Sequence, residues 1–190
     1  ITCEGPVTVS NTEIVAGAPV VTTTTAKARV TSQNALTTQR GWYLDLESPV
    51  NGFQGEMVPS NAFLRNKRVN FTTLIPDPDP CTYGGSSWLM NIDMFSGGRI
   101  DTSPFDLNGD GEFDNEDKVP PGGGPSALGG NVAVSGLQIG EGIVAQGIVV
   151  GDPTRDRDLI IAPDSFGNVN SIPAWPGPGV YGRQSWRQLR

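Results

Sequence analysis

Apolar and polar residues alternate over several stretches of the chain, and the alternation predicts strands. The clearest run is Arg68–Ile75, followed by Ser87–Met94. Trp42–Leu46 alternates as a half-buried strand, and Glu56–Leu64 reads as a further extended piece. Pro76, Pro78 and Pro80 stop the first run and Gly97-Gly98 ends the second. Four strands joined by Gly, Asn and Pro turns predict one propeller blade or one antiparallel meander. A looser second set follows at Val132–Val134, Gly142–Val150, Asp158–Ala162, Asn168–Ile172 and Arg183–Leu189.

No long stretch shows helical periodicity, so the predicted class is all-β. Residues 1–40 are rich in Thr, Val and Ala and predict short extended pieces at Val7–Val9, Pro19–Thr22 and Ala28–Thr31. The division that follows is an extended segment over 1–40 and a β-propeller portion over 41–190, with an insertion at 95–130. A propeller closes with at least about four blades of roughly 40–45 residues. About two are readable here, so the expectation is a partial propeller within a larger one. The chain begins at Ile1, which predicts a processed chain or a fragment.

Inside the insertion, the run from Asp106 to Asp117 changes the picture from scaffold to chemistry. Oxygen-bearing side chains stand at its first, third, fifth, ninth and twelfth positions as Asp106, Asn108, Asp110, Asp114 and Asp117, and Gly111 is sixth. This is the order of an EF-hand-type calcium loop. Calcium takes about six to eight oxygens, and the first three side chains turn inward together only where the backbone curls sharply. Gly111 permits the curl, the Glu112 carbonyl is the backbone ligand, and Asp114 closes the far side. The twelfth position of an EF-hand is usually a bidentate Glu. Asp117 is shorter, so it is the weakest member of the set. Pro104 before the loop and Pro120, Pro121 and three glycines after it exclude paired helices. The expectation is therefore an isolated Ca2+ loop between strands. Seven acidic residues between Asp101 and Asp117 would repel one another without a cation.

Composition removes other classes. The net charge is -7, against the basic surface that nucleic acid requires. No apolar run is long enough to span a bilayer, and no signal peptide is visible. There is no His, and the two cysteines, Cys3 and Cys81, cannot make a zinc site of their own. They are candidates for a disulfide in an oxidising compartment; pairing with missing upstream residues and two free thiols are the alternatives. No Gly-x-Ser-x-Gly elbow is present, and the carboxylate pairs Asp77/Asp79 and Asp156/Asp158 sit among Pro and Arg as turn and ion-pair residues. The expectation is a non-enzyme. The loose dinucleotide pattern at Gly140–Ala145 has no helix to serve it, and the sequon at Asn70 falls in a strand. Trp42, Trp88 and Trp186 are expected in the core and Trp175 on the surface. Arg183, Arg187 and Arg190 make the C-terminus basic.

Seven motifs, in order, resemble the C-terminal region of PilY-family proteins, the tip-associated adhesins and biogenesis factors of type IV pili. They are GWYLDL at 41–46, NFTTLIP at 70–76, Cys81, GSSWLM at 85–90, GGR at 97–99, FDLNGDG at 105–111 and GRQSWR at 182–187. The resemblance covers about residues 41–190. It implies a distorted quinoprotein-type propeller with a calcium loop on one blade, in which calcium occupancy supports pilus extension and opposes retraction. The ligands it implies are Asp106, Asn108, Asp110, the Glu112 carbonyl and Asp114. It further implies minor pilins and the tip complex as partners, with the remainder of a longer chain, at the pilus tip, outer membrane or periplasm of a Gram-negative bacterium. Alternatives are a calcium-stapled structural module and the remnant of a quinone-dependent dehydrogenase.

Overall fold

The computed structural model describes residues 1–15, 18–33, 36–79, 84–120, 130–139, 142–152 and 154–178, with the backbone alone over 11–15 and 18–24. Among these residues there is no α-helix, and the strands form two open sheets. The strands are β1 (Cys3–Val15), β2 (Ala18–Val30), β3 (Phe63–Arg65), β4 (Arg68–Pro76), β5 (Gly85–Asp93), β6 (Gly136–Gln138), β7 (Ile148–Asp152), β8 (Arg157–Pro163) and β9 (Val169–Ala174). The first sheet runs β1-β2-β6-β5-β4-β3 and the second β7-β8-β9. Every named pairing is antiparallel.

The all-β expectation holds. The strands form one sheet of six and one of three, and the six-stranded sheet takes in the first thirty residues. β1 and β2 pair along their whole length, and β2 joins the sheet through Ala28 and Arg29 against β6. The strong runs become β4, β5, β8 and β9. Trp42–Leu46 is different. Its burial alternates as expected, but it has no ladder; Trp42, Leu44 and Leu46 lie on the sheet face formed by Phe71, Ile75, Trp88, Met90 and Ile92. Alternation reports which side of an extended chain is covered, not whether its backbone is paired. The 56–64 piece similarly reduces to a bridge between Met57 and Leu74 and the short β3. The predicted strand at 183–189, with Trp186 and the C-terminal arginines, lies outside the described residues, as does Gly140.

Period-two alternation gives β5 two covered faces. Trp88, Met90 and Ile92 point to the Trp42–Leu46 side, while Leu89 joins a second cluster between the sheets with Val7, Ala28, Val30, Val144 and Ile160. Phe105 and Leu107, at the start of the acidic loop, belong to the same inter-sheet cluster and are fully buried. Burying two apolar anchors, each worth roughly 1.5–3 kcal/mol, fixes where the loop leaves the core.

On the Trp88 side of β2 sits Arg29, which is 0% exposed. It stands directly across the ladder from Glu4. Its Nε donates to Glu4 at 2.8 Å, its Nη1 to Glu56 at 2.6 Å, and its guanidinium lies 3.9 Å from the Trp88 ring centroid. A buried guanidinium is tolerated only where carboxylates and hydrogen bonds replace its water. Replacing Arg29 with Ala leaves two buried carboxylates without their cation, and the expected cost is about 3–5 kcal/mol. Urea denaturation should show this as a lower midpoint at similar slope; a midpoint within experimental error of the parent would contradict it.

Candidate functional site

The acidic loop is built onto the core from both ends. Before it, Phe105 makes a bridge to Ala174, and the Trp175 N–H donates to the Pro104 carbonyl at 3.0 Å. The Ser10 N–H reaches the Leu107 carbonyl at 2.8 Å, tying the loop to β1. After it, buried Val119 bridges Val132. The buried Ser103 Oγ lies 2.9 Å from the Phe105 carbonyl and 3.2 Å from that of Asp117, so one hydroxyl spans entry and exit.

Inside this frame the side chains bond to the loop's own backbone. Asp106 accepts the Gly109 N–H at 2.6 Å through Oδ1 and the Gly111 N–H at 3.0 Å through Oδ2. Asn108 Oδ1 accepts from Asp110 N–H at 3.0 Å, and Asp110 Oδ1 from Glu112 N–H at 2.7 Å. Asp114 Oδ1 accepts from Glu116 N–H at 2.7 Å. Gly109 and Gly111 take φ of 78° and 87°, the left-handed region that other residues enter at a cost. The curl assigned to Gly111 is therefore present. Asp106 is 4% exposed, whereas Asp110, Glu112 and Asp114 are exposed.

Asp117 does something the sequence did not reveal. Fully buried, it accepts the N–H groups of Leu107 at 2.6 Å and Asn108 at 3.2 Å on Oδ1, and of Asp114 at 3.2 Å on Oδ2. The twelfth residue thus clamps the second, third and ninth. A shorter side chain than Glu brings its oxygens to those backbone donors, and the only sequence signal was that shortness.

Could the loop hold a cation? A carboxylate has about four lone-pair sites, so Asp106, Asp110 and Asp114 keep acceptor capacity beyond the bonds named. Among the described residues no three His, Cys, Asp or Glu side chains stand close enough together to bind an ion alone. The Asn108 side-chain oxygen and the Glu112 carbonyl are the additional oxygen donors available. The donor chemistry, hard oxygen throughout, fits calcium. The electrostatics fit as well. Burial raises the Asp106 carboxyl above its usual range, with Asp110 adding to it and the Gly109 and Gly111 N–H groups and Arg157 opposing it. Burial pushes Asp117 up to about 6, helped by Asp106 and opposed by the N–H groups it accepts.

The other singled-out residues fall elsewhere. Cys3 is half-buried at the start of β1, and its candidate partner Cys81 lies outside the described residues. Trp88 is in the core as expected; Trp42 is half-buried, its Nε1 donating to the Met94 carbonyl at 3.0 Å. Trp175 is half-buried against Arg68. Asp158 is in an ion pair, but with the distant Arg65 and not with the neighbouring arginines that the sequence suggested. Asn70 is buried and bonded to Asn91. No helix among the described residues is long and apolar enough to cross a membrane.

An all-β domain presenting a core-anchored acidic loop is the class that fold and site define. No family model matches the chain. It is 33% identical over 171 residues to the type IV pilus biogenesis factor PilY1 of Pseudomonas aeruginosa, covering 85% of this chain and 13% of that protein. A PilY1 homolog of Xylella fastidiosa is 35% identical over 152 residues, covering 78% of this chain and 11% of the homolog. The crystal structure of the P. aeruginosa PilY1 C-terminal domain superposes with a TM-score of 0.61 at 22% identity, over 91% of this chain and 31% of that one. The chain belongs to the PilY1 family of type IV pilus biogenesis factors, and it spans only a small part of these relatives' length.

The pKa directions give a pH test. Asp117 is raised from 3.8 to about 6 in the folded state, so its contribution favours folding fully below about pH 4 and is lost as pH rises through about 6. Asp106 is shifted in the same direction. In chelator, the parent chain should therefore gain stability between pH 7 and 5 relative to Asp117→Asn, which cannot titrate. Denaturation midpoints with the same pH dependence in both proteins would refute the assignment.

Proposed function

We propose that this chain is a calcium-binding part of a PilY1-type pilus biogenesis factor and tip adhesin, acting by binding and not by catalysis. The observation that carries the reading is the loop itself: Asp106, Asn108 and Asp110 are folded back over Gly109 and Gly111, with Asp106 buried. Asp106, Asn108, Asp110, the Glu112 carbonyl and Asp114 would hold Ca2+, and Asp117 would hold the loop. The ion supplies the positive charge that the buried carboxylates lack.

In this reading the domain is a portion of a quinoprotein-like propeller, completed by the remainder of a longer chain. Its partners are minor pilins and the tip complex at the surface of a Gram-negative bacterium. Calcium occupancy fixes the face that the loop presents, supporting pilus assembly and opposing retraction; an empty loop presents a different one. A second reading follows from the Ser103 and Asp117 clamps, which already fix both ends of the loop. Calcium would then be a permanent staple without regulatory exchange.

Titration calorimetry decides the first point. Asp110→Ala should lose at least about tenfold in calcium affinity, roughly 1.4 kcal/mol, with its far-ultraviolet circular dichroism unchanged. Equal affinity in parent and variant would sink the site. A parent affinity far tighter than ambient calcium fluctuations would favour the staple.

A further inference from the structure

At one end, the apolar interface between the two sheets takes in a group of polar and charged side chains. β4 and β5 turn Arg68, Asn70 and Asn91 toward β8, which answers with Asp158; Arg65 and Trp175 join them. Phe63, Val149, Ile160 and Ala174 form the apolar rest of the lining. The cleft they line is partly open and has a volume of about 10 Å³, room for about one water-sized particle.

Its charges do not balance. Arg65 takes both oxygens of Asp158, Nε at 2.8 Å and Nη2 at 2.7 Å. That bidentate pair occupies the one carboxylate of the lining. Arg68 is left with its guanidinium 5.1 Å from the Trp175 ring centroid. It is 3% exposed, and its Nε and Nη1 are buried with no hydrogen-bond partner among the described residues. Two guanidinium groups against one carboxylate leave one positive charge in excess. Burial pulls the Arg68 pKa down to about 10, with Asp158 opposing and Arg65 adding to the shift. This is the response of a cation short of counter-charge.

Asn91 lines the same cavity and has an unpartnered Oδ1, while its Nδ2 donates to Asn70 Oδ1 at 2.7 Å. Turning both amides over keeps a bond between them and replaces the weak 3.5 Å contact from Asn70 Nδ2 to the Arg68 carbonyl with an oxygen–oxygen approach at that distance. Asn91 then offers Nδ2 in place of Oδ1 to the cleft that Arg68 also lines. A single water would satisfy the hydrogen bonds without the flip, but would leave the charge uncompensated.

We propose that the cleft formed by Arg68, Asn91 and Trp175 binds a small monoanion of halide size, held by Arg68 Nε and Nη1 and the Asn91 amide. In ordinary salt solution the occupant is chloride. The site is separate from the acidic loop and does not depend on calcium.

Two measurements on the 190-residue chain test this. Crystals grown with bromide in place of chloride should show an anomalous peak within hydrogen-bonding distance of Arg68. At constant ionic strength, exchanging gluconate, too large for the cavity, for chloride should raise Tm. Arg68→Gln should lose that dependence. Asn91→Asp, which supplies a fixed carboxylate beside Arg68, should also lose it while remaining folded, so the test survives a failure of the first variant. A peak without anomalous signal in the cleft, or a chloride dependence unchanged in Asn91→Asp, would overturn the proposal.

Discussion

The buried guanidinium of Arg29 is the constraint on which the six-stranded sheet depends. It is reached by Glu4 from β1, by Glu56 from the segment before β3, and by the Trp88 ring from β5. Three stretches of chain distant in sequence must therefore arrive together for the charge to be tolerated at all. Because Ala28 and Val30 point to the opposite face, the same short stretch of β2 also closes the inter-sheet core. A register slip of one residue would put the charge into that core and the two apolar residues beneath Trp88. The ion pair thus acts more as a register lock than as a source of net stability.

The acidic loop takes its order from this scaffold through protein contacts alone. Phe105 and Leu107 are core residues, Ser103 joins entry to exit, and Asp117 fastens the loop from beneath. What the scaffold leaves unresolved is charge. Asp106 and Asp117 are both buried, and burial raises the proton affinity of each, with Asp110 adding to the shift of Asp106 and Asp106 to that of Asp117. The fold has settled the geometry of the loop and left its electrostatics to pH or to a ligand.

Residue spacing made the loop legible, because each oxygen and each left-handed glycine has a fixed place along the twelve positions from Asp106 to Asp117. The apolar and β-branched runs that form β4 and β8 were legible by composition, bounded as they are by Pro and charged residues. The hairpin of β1 and β2 was read only as fragments. Its Thr-rich middle carries no alternation, and its pairing is set by the distant β6 and by Arg29. Trp42–Leu46 misled in the opposite direction, since a covered face produces the same pattern with or without a ladder. The pairing of Arg65 with Asp158 spans 93 residues. Nothing local in either sequence neighbourhood announces it, and the isolation of Arg68 follows only once that pair is known.

Loop and cleft are neighbours in the fold. Pro104 and Phe105, which launch the loop, are hydrogen-bonded or bridged to Trp175 and Ala174, and Trp175 covers Arg68. On one side of this short backbone junction lie the buried carboxylates of Asp106 and Asp117; on the other lies the buried guanidinium of Arg68, with two donors unpartnered among the described residues. The two cannot neutralise each other directly. Asp106 is committed to the Gly109 and Gly111 N–H groups, and Arg68 lies against the Trp175 ring among the side chains of β4, β5 and β8. Moving either group across would break the hydrogen bonds or the packing that place it. Opposite charges are thus held apart by the packing and hydrogen bonds that place them, and this separation is a property of the fold, not of either site alone.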